Sequence, residues 1–426
     1  MEPVTLTYPI HESRLDNGLR VVVSPDHSTP VVAVNLWYDV GSGDEVPGRT
    51  GFAHLFEHLM FQGSRNVASG DHLGSIQAAG GSVNGTTSFD RTNYYEAVPV
   101  GALPLALWLE ADRLGTLLDA LDQDNLNNQR EVVKEEKRQR YDNVPYGDVF
   151  LHFVEVAFPS DHPYGHLTIG SMADLDAASL EDVRTFFTTH YSPDRAVLTL
   201  VGDVALETGL ALADQHFGHL QPGPPRPRDA TGPLPPLTGV PRREVAANVP
   251  RDAVYLCWRV PPVTDPTVEA VSLATSILGD GLASRLHLAL VRTEIAESVG
   301  AFVMPLMRGV SLAVAYARCR EGVTPETAEE ALVEAWDAFV ASGPTEAELQ
   351  RAQVQLSREW LSELADIQQR ADVIGRFTTQ LSDPGHVNRR LAAVQALGAE
   401  AVTAAAQTWL ASENRGVLVY RAEADA

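Results

Sequence analysis

Cysteine is nearly absent. The 426 residues contain two, Cys257 and Cys319, and neither belongs to a CxxC spacing. That excludes a disulfide framework and a cysteine-based metal cluster, so any metal site must be built from histidine and carboxylates. Both lie in apolar, strand-like stretches and are expected to be buried thiols. Long apolar runs are also missing: no stretch of about 18 apolar residues exists, so no membrane-spanning helix is expected. The start, MEPVTLTYPIHESRLDNG, lacks a basic segment followed by an apolar one and does not read as a signal peptide. A cytoplasmic protein is therefore the expectation. Positive charge is scarce, with 32 Lys and Arg against 56 Asp and Glu, a net charge of -24. A surface this acidic repels nucleic acid and anionic lipid, so neither is expected as a partner. It aids solubility and leaves peptides open as ligands.

Proline is concentrated. QPGPPRPRDATGPLPPLTGVP, residues 221–241, carries eight of the 27 prolines. Such a run builds neither helix nor central strand and reads as a semi-rigid spacer. It divides the chain into halves, 1–220 and 242–426. The halves share an order of elements. In the first, LRVVVSP and VVAVNLWYDV read as strands and a helix follows. In the second, REVAANV and AVYLCWRVP do the same before the helix VEAVSLATSILGDG. Long helical stretches come later in each half, and each closes near a strand, RAVLTLVGDV and NRGVLVYRA. The expected fold is α+β: two similar halves, each a mainly antiparallel sheet packed with helices, joined by the proline-rich linker.

Against these scarcities stands GFAHLFEHLMFQGS, residues 51–64. Thr50 is a plausible N-cap and Gly63 a plausible stop. Phe52, Leu55, Phe56, Leu59 and Met60 form an apolar stripe at helical spacing. His54, Glu57 and His58 share the opposite arc. One reading is a solvated polar face. The other is metal chemistry: two histidines one turn apart can aim ring nitrogens at one ion about 2.0–2.1 Å away. Glu57 could then take a proton from the attacking water. The helix in the second half carries no histidine, so at most one such site is expected.

A catalytic metal needs a third ligand. NNQREVVKEEKRQR offers Glu131, Glu135 and Glu136. With Leu126, Val132 and Val133 as the inward face, Glu136 falls on the apolar side while Glu131 and Glu135 point away. A buried carboxylate needs a partner. A metal is one; a buried pair with Arg91 or Arg140 is the alternative.

HxxEH is HExxH in reverse, the inverzincin motif. With GGSVNGTTSFDRTNYYEAVP and QREVVKEEKRQ after it, the chain resembles the pitrilysin and mitochondrial processing peptidase family of zinc proteases. HPYGHLTIGSMADL, YSPDRAVLTLVGDV and ILGDGLASRLHLALVR extend the likeness over most of the chain. The resemblance implies Zn2+ held by His54, His58 and Glu136, with Glu57 as general base. Gln129 stands where many relatives have a second acidic residue, and could hydrogen-bond a ligand. Asn84 would lie on an edge strand that pairs with an extended peptide; as turn residues, Gly80, Gly81, Asn84 and Gly85 would have a plainer role. His72, His162 and His166 are expected in loops or at the surface.

One departure is visible. The family's oxyanion-stabilising Arg and Tyr fall in LVRTEIAESVGAF, where Arg292 is present but Glu297 replaces the expected Tyr. The resemblance therefore implies an endopeptidase for peptides or unfolded segments, acting as the zinc-bearing subunit of a heterodimer whose partner supplies the Arg and Tyr, or as a homodimer. A non-catalytic assembly subunit of the same fold is the alternative, against which the intact set His54, Glu57, His58 and Glu136 speaks.

Overall fold

The computed structural model describes residues 5–225 and 231–423. It contains two sheets built on one plan. The first has strands β1 (His11–Arg14), β2 (Arg20–Pro25), β3 (Val31–Tyr38), β4 (Ser82–Thr87), β5 (Thr92–Pro99) and β6 (Ala196–Gly202). Their spatial order is β1-β2-β6-β3-β5-β4. The second has β7 (Arg242–Ala247), β8 (Ala253–Val260), β9 (Ala296–Met304), β10 (Ser311–Cys319) and β11 (Gly416–Ala422), ordered β7-β11-β8-β10-β9. β1 apart, the connectivity is the same: first, last, second, fourth, third. Among the described residues, the parallel pair in each sheet is first with last, β2 with β6 and β7 with β11. The α+β class and the duplication stand as expected.

Composition explains the order. β3 reads VVAVNLWY and β6 AVLTLVG, nearly continuous apolar runs, and both lie in the sheet interior. β4 reads SVNGTT, polar and glycine-containing, and takes the edge.

The compact units do not follow the expected division at 221–241, of which residues 226–230 lie outside the described residues. The first unit comprises the chain up to Lys137, the stretch from His166 into the proline-rich segment, and Glu359–Leu391. The second takes Arg138–Gly165 and the remainder. The physical reason is apolar burial. Trp360, Leu364, Ala371, Ile374 and Phe377 pack into one core with Val22, Ala33, Trp37, Val197 and Val201 of the first sheet. The helix Ile367–Leu381 also supplies Asp372, whose Oδ1 accepts hydrogen bonds from Trp37 Nε1 and Asn93 Nδ2, both at 2.8 Å. The second unit has its own core, in which the indoles of Trp258 and Trp336 stack at 4.2 Å. Both cysteines are buried, and burial pushes their thiols up, Cys257 to about 12 and Cys319 to about 11. Among the described residues no helix is long and apolar enough to cross a membrane.

Candidate metal centre

Helix α1 (Phe52–Leu59) carries the HLFEH stretch. Phe52, Leu55, Phe56, Leu59 and Met60 are all buried, so the apolar stripe holds the helix to the core. Phe56 stacks on Phe187 and Tyr191. The helix start differs from expectation. Thr50 does not cap it: its hydroxyl donates to Asp174 Oδ2 at 2.7 Å. Gly51 is the N-cap, with φ of 89°, and a Cβ there would lie 2.9 Å from the Ile169 carbonyl oxygen. Having no side chain, Gly51 cannot satisfy the first amides. Glu45 does so from outside the helix, accepting from Gly51 N and Ala53 N at 2.8 Å each. His166 Nε2 lies 2.8 Å from the same carboxylate. Burial raises the Glu45 carboxyl, and His166 and the two amides pull it back. At the other end the helix stops at Leu59, four residues before Gly63. Single-turn bonds carry the chain on to Gln62.

Helix α2 (Asp71–Ala78) leads into β4, and α3 (Leu103–Ala120) follows β5. The next helix, α4 (Gln123–Lys137), gives way to one π-helical turn over Arg138–Asp142. On α4, Leu126, Gln129 and Val133 are buried, while Val132 is exposed, contrary to expectation. The inward face is thus Leu126, Gln129, Val133 and Glu136, at helical spacings of three, four and three. Glu131 and Glu135 are exposed. Glu136 still faces inward, by a different set of neighbours from the expected one.

The Glu136 carboxylate meets both histidines. Its Oε2 lies 3.5 Å from His54 Nε2 and 3.2 Å from His58 Nε2. The two rings are nearly perpendicular, with centroids 4.9 Å apart. Two ligand atoms bound tetrahedrally to one zinc ion, each about 2.0–2.1 Å from it, lie about 3.4 Å apart. The two separations from Glu136 are close to that requirement. Two imidazoles and one carboxylate are also a donor set found in catalytic zinc sites. Among the described residues no fourth His, Cys, Asp or Glu joins this group.

Glu57 is half-buried beside them. Its Oε2 accepts a hydrogen bond from the Thr87 hydroxyl at 2.6 Å. Burial raises the Glu57 carboxyl above its ordinary range and Glu136 adds to this; Thr87, His58 and Arg91 oppose it. Arg91 Nη1 donates to Thr86 O at 2.8 Å and Asn93 Oδ1 at 3.0 Å. Asn84 is exposed on edge strand β4, opposite Tyr95 of β5. Its Oδ1 accepts from Gly85 N. Arg292 belongs to the second unit and is exposed after a short helical turn, His287–Val291. There Glu297 pairs with Arg251 at 3.2 Å.

His72 and His162 are buried, not at the surface. The His162 ring stacks on Phe158 at 5.2 Å. His72 belongs to a second cluster with Glu96 and Glu110. His72 Nε2 lies 2.9 Å from Glu96 Oε1, and Arg113 Nε donates to Glu110 Oε2 at 3.0 Å. A divalent cation there would leave a net positive charge buried with Arg113, which is costly. One proton on Glu96 leaves the cluster neutral. Burial, then the neighbouring Glu110, holds the Glu96 carboxyl far above its usual range, and burial drives His72 down to about 2.

Thr87, Glu45, His166 and the His72 cluster were not assigned from the sequence. Their contacts span from six to 121 residues of chain and follow no helical or strand period.

Two family models match the chain. Residues 20–168 match Insulinase (Peptidase family M16), and residues 177–356 match the Peptidase M16 inactive domain. The zinc protease PqqE of Helicobacter pylori is 31% identical over 383 residues, covering 88% of this chain and 84% of PqqE. The zinc protease Rv2782c of Mycobacterium tuberculosis is 30% identical over 403 residues, 92% of this chain and 89% of its own. The mitochondrial-processing peptidase subunit beta of Saccharomyces cerevisiae is 30% identical over 211 residues, 49% of this chain and 44% of that subunit. The crystal structure of a protease from Helicobacter pylori superposes with a TM-score of 0.90 at 26% identity, covering 97% of this chain and 99% of that one. Fold and relatives together define a peptidase-family protein with two like halves. The chain belongs to peptidase family M16, the insulinase family.

Proposed function

We propose that this chain is a zinc-dependent endopeptidase acting on peptides or unfolded segments. The observation that carries the reading is the convergence of His54 Nε2, His58 Nε2 and a Glu136 carboxylate oxygen beside Glu57. When bound by these three residues, zinc supplies Lewis-acid polarisation of the scissile carbonyl and makes water more acidic. The chain's own residues do the rest. Glu57 accepts the proton of the attacking water and returns it to the leaving amine nitrogen. The outer edge of β4 offers backbone groups to an extended peptide, and Asn84 contacts it there. Gln129, buried about two turns before Glu136 on the same face of α4, steadies that ligand's helix face.

Glu297 in place of a hydroxyl donor supports a two-subunit enzyme. Arg292 then contributes little unaided, and a related partner subunit brings the oxyanion donors. A homodimer is the alternative assembly. The direct test measures bound zinc and peptide cleavage in His58→Ala and Glu136→Gln. Both variants should lose zinc and activity together while remaining folded. Full zinc occupancy in either would remove that residue from the ligand set.

A further inference from the structure

Glu57 is held from the side by the strand expected to carry the substrate. Thr87, the last residue of β4, donates its hydroxyl hydrogen to Glu57 Oε2 at 2.6 Å. That length is well within the range of a hydroxyl–oxygen hydrogen bond. Strand and side chain also touch at a second point. A Cβ at Gly85 would lie 3.2 Å from Glu57 Cγ, 3.1 Å from Tyr94 Cδ1 and 3.3 Å from Phe61 Cε2. Gly85 thus leaves room for the Glu57 stem, and Thr87 fixes its head.

The position of Thr87 is itself well determined. It pairs with Thr92 across the hairpin, and Thr92 Oγ1 donates to the Val40 carbonyl at 3.0 Å. One residue earlier, Arg91 Nη1 binds the Thr86 carbonyl. The β4–β5 corner is therefore anchored to β3 and cannot swing freely. A carboxylate held by one oxygen keeps the other for a proton-transfer role. A free glutamate on a helix surface would sample several rotamers, most of them useless for catalysis.

We propose that Thr87 is a positioning residue for the reaction: its hydroxyl holds Glu57 in the one rotamer that addresses the attacking water, and so ties the base to the peptide-pairing strand. This rests on Glu57 acting as general base. Peptide bound along β4 and the base that serves it then share one rigid support. The register between scissile bond and base is set by the same three residues, Gly85, Thr86 and Thr87.

The experiment compares Thr87→Val, which keeps the shape and removes the donor, with Thr87→Ser, which keeps the donor and removes a methyl. Glu57→Gln serves as the control, and each protein is assayed as the full chain with any co-purifying subunit. Expected for Thr87→Val is a kcat about 10- to 100-fold lower, with KM changed by no more than about twofold. Its zinc content, thermal midpoint and affinity of the metal-free protein for the same peptide should match wild type. Thr87→Ser should recover most of the lost kcat. Wild-type kcat in Thr87→Val would overturn the proposal. So would a Thr87→Ser protein as slow as Thr87→Val, because the methyl group would then be the part that matters. Loss of zinc or of peptide affinity in Thr87→Val would assign Thr87 to the fold instead. If Glu57→Gln itself stays active, the general-base reading fails independently of Thr87.

Discussion

Buried ionisable groups packed against one another limit which protonation states a fold tolerates. The cluster under β5 is the strictest case. His72 from α2, Glu96 and Tyr94 from β5, Glu110 and Arg113 from α3, and Tyr38 from β3 form one buried cluster. The Arg113 guanidinium also lies 4.2 Å over the Tyr94 ring. Burial favours a protonated Glu96 and a neutral His72 in the fold, which leaves one proton between them. Unfolded, Glu titrates near pH 4.3 and His near pH 6.5, each about. Between those values both states bind one proton, so the pair adds no slope. Above about pH 6.5 the unfolded pair binds none and the folded pair still binds one, so stability falls by up to about 1.4 kcal/mol per pH unit. Glu96→Gln removes that proton. Urea unfolding from pH 7 to 9 should show a flatter decline for Glu96→Gln than for wild type. Equal slopes would mean Glu96 is ionised in the fold. The shared helical face of the candidate site was legible for a reason absent here. His54, Glu57 and His58 sit within one turn, and helical periodicity reports their shared face. His72 and Glu96 meet only through the fold, so His72 read as a surface residue.

At the scale of the element, α1 is a short helix asked to hold two donor atoms steady. Eight residues give little intrinsic stability, and most of it comes from packing of the apolar stripe. Its N-terminus depends on Glu45, whose carboxylate takes the place of a local cap. A carboxylate at a helix N-terminus also opposes the helix dipole favourably. Glu45→Ala should cost about 1–3 kcal/mol, since two buried amides lose a charged acceptor. It should also weaken zinc binding, which a competitive chelator titration would read. Unchanged zinc affinity together with lost stability would mean that the first turn is not what holds His54 in place. The sequence suggested Thr50 as the cap because a hydroxyl before an apolar stripe is the common local device. A cap reaching back six and eight residues from a loop has no such signature. Element types along the chain were otherwise readable, because the short β-branched apolar runs of β2, β3 and β8 and the helical periods of α1 and α3 are local properties.

For the whole molecule, duplication of one sheet plan comes with division of roles. Both metal-type clusters among the described residues lie in the first unit. The division of the chain into units was the part least visible in the sequence. A proline-rich segment suggests a clean cut, yet Glu359–Leu391 returns to the first unit because Trp37, Val22 and Val201 need an apolar cover. A chain ending at residue 220 would lack that cover and Asp372 with it. It should aggregate when expressed alone, as size-exclusion chromatography would show; a monodisperse, folded product would contradict the assignment of the helix Ile367–Leu381 to this unit. One comparison decides whether the whole protein is a zinc peptidase. Zinc content and peptide cleavage are measured for wild type and Glu57→Gln, each alone and with any co-purifying subunit. The account predicts one zinc per chain in both proteins and cleavage by wild type only. Equal cleavage by the two, or a wild type that binds no zinc, would contradict it.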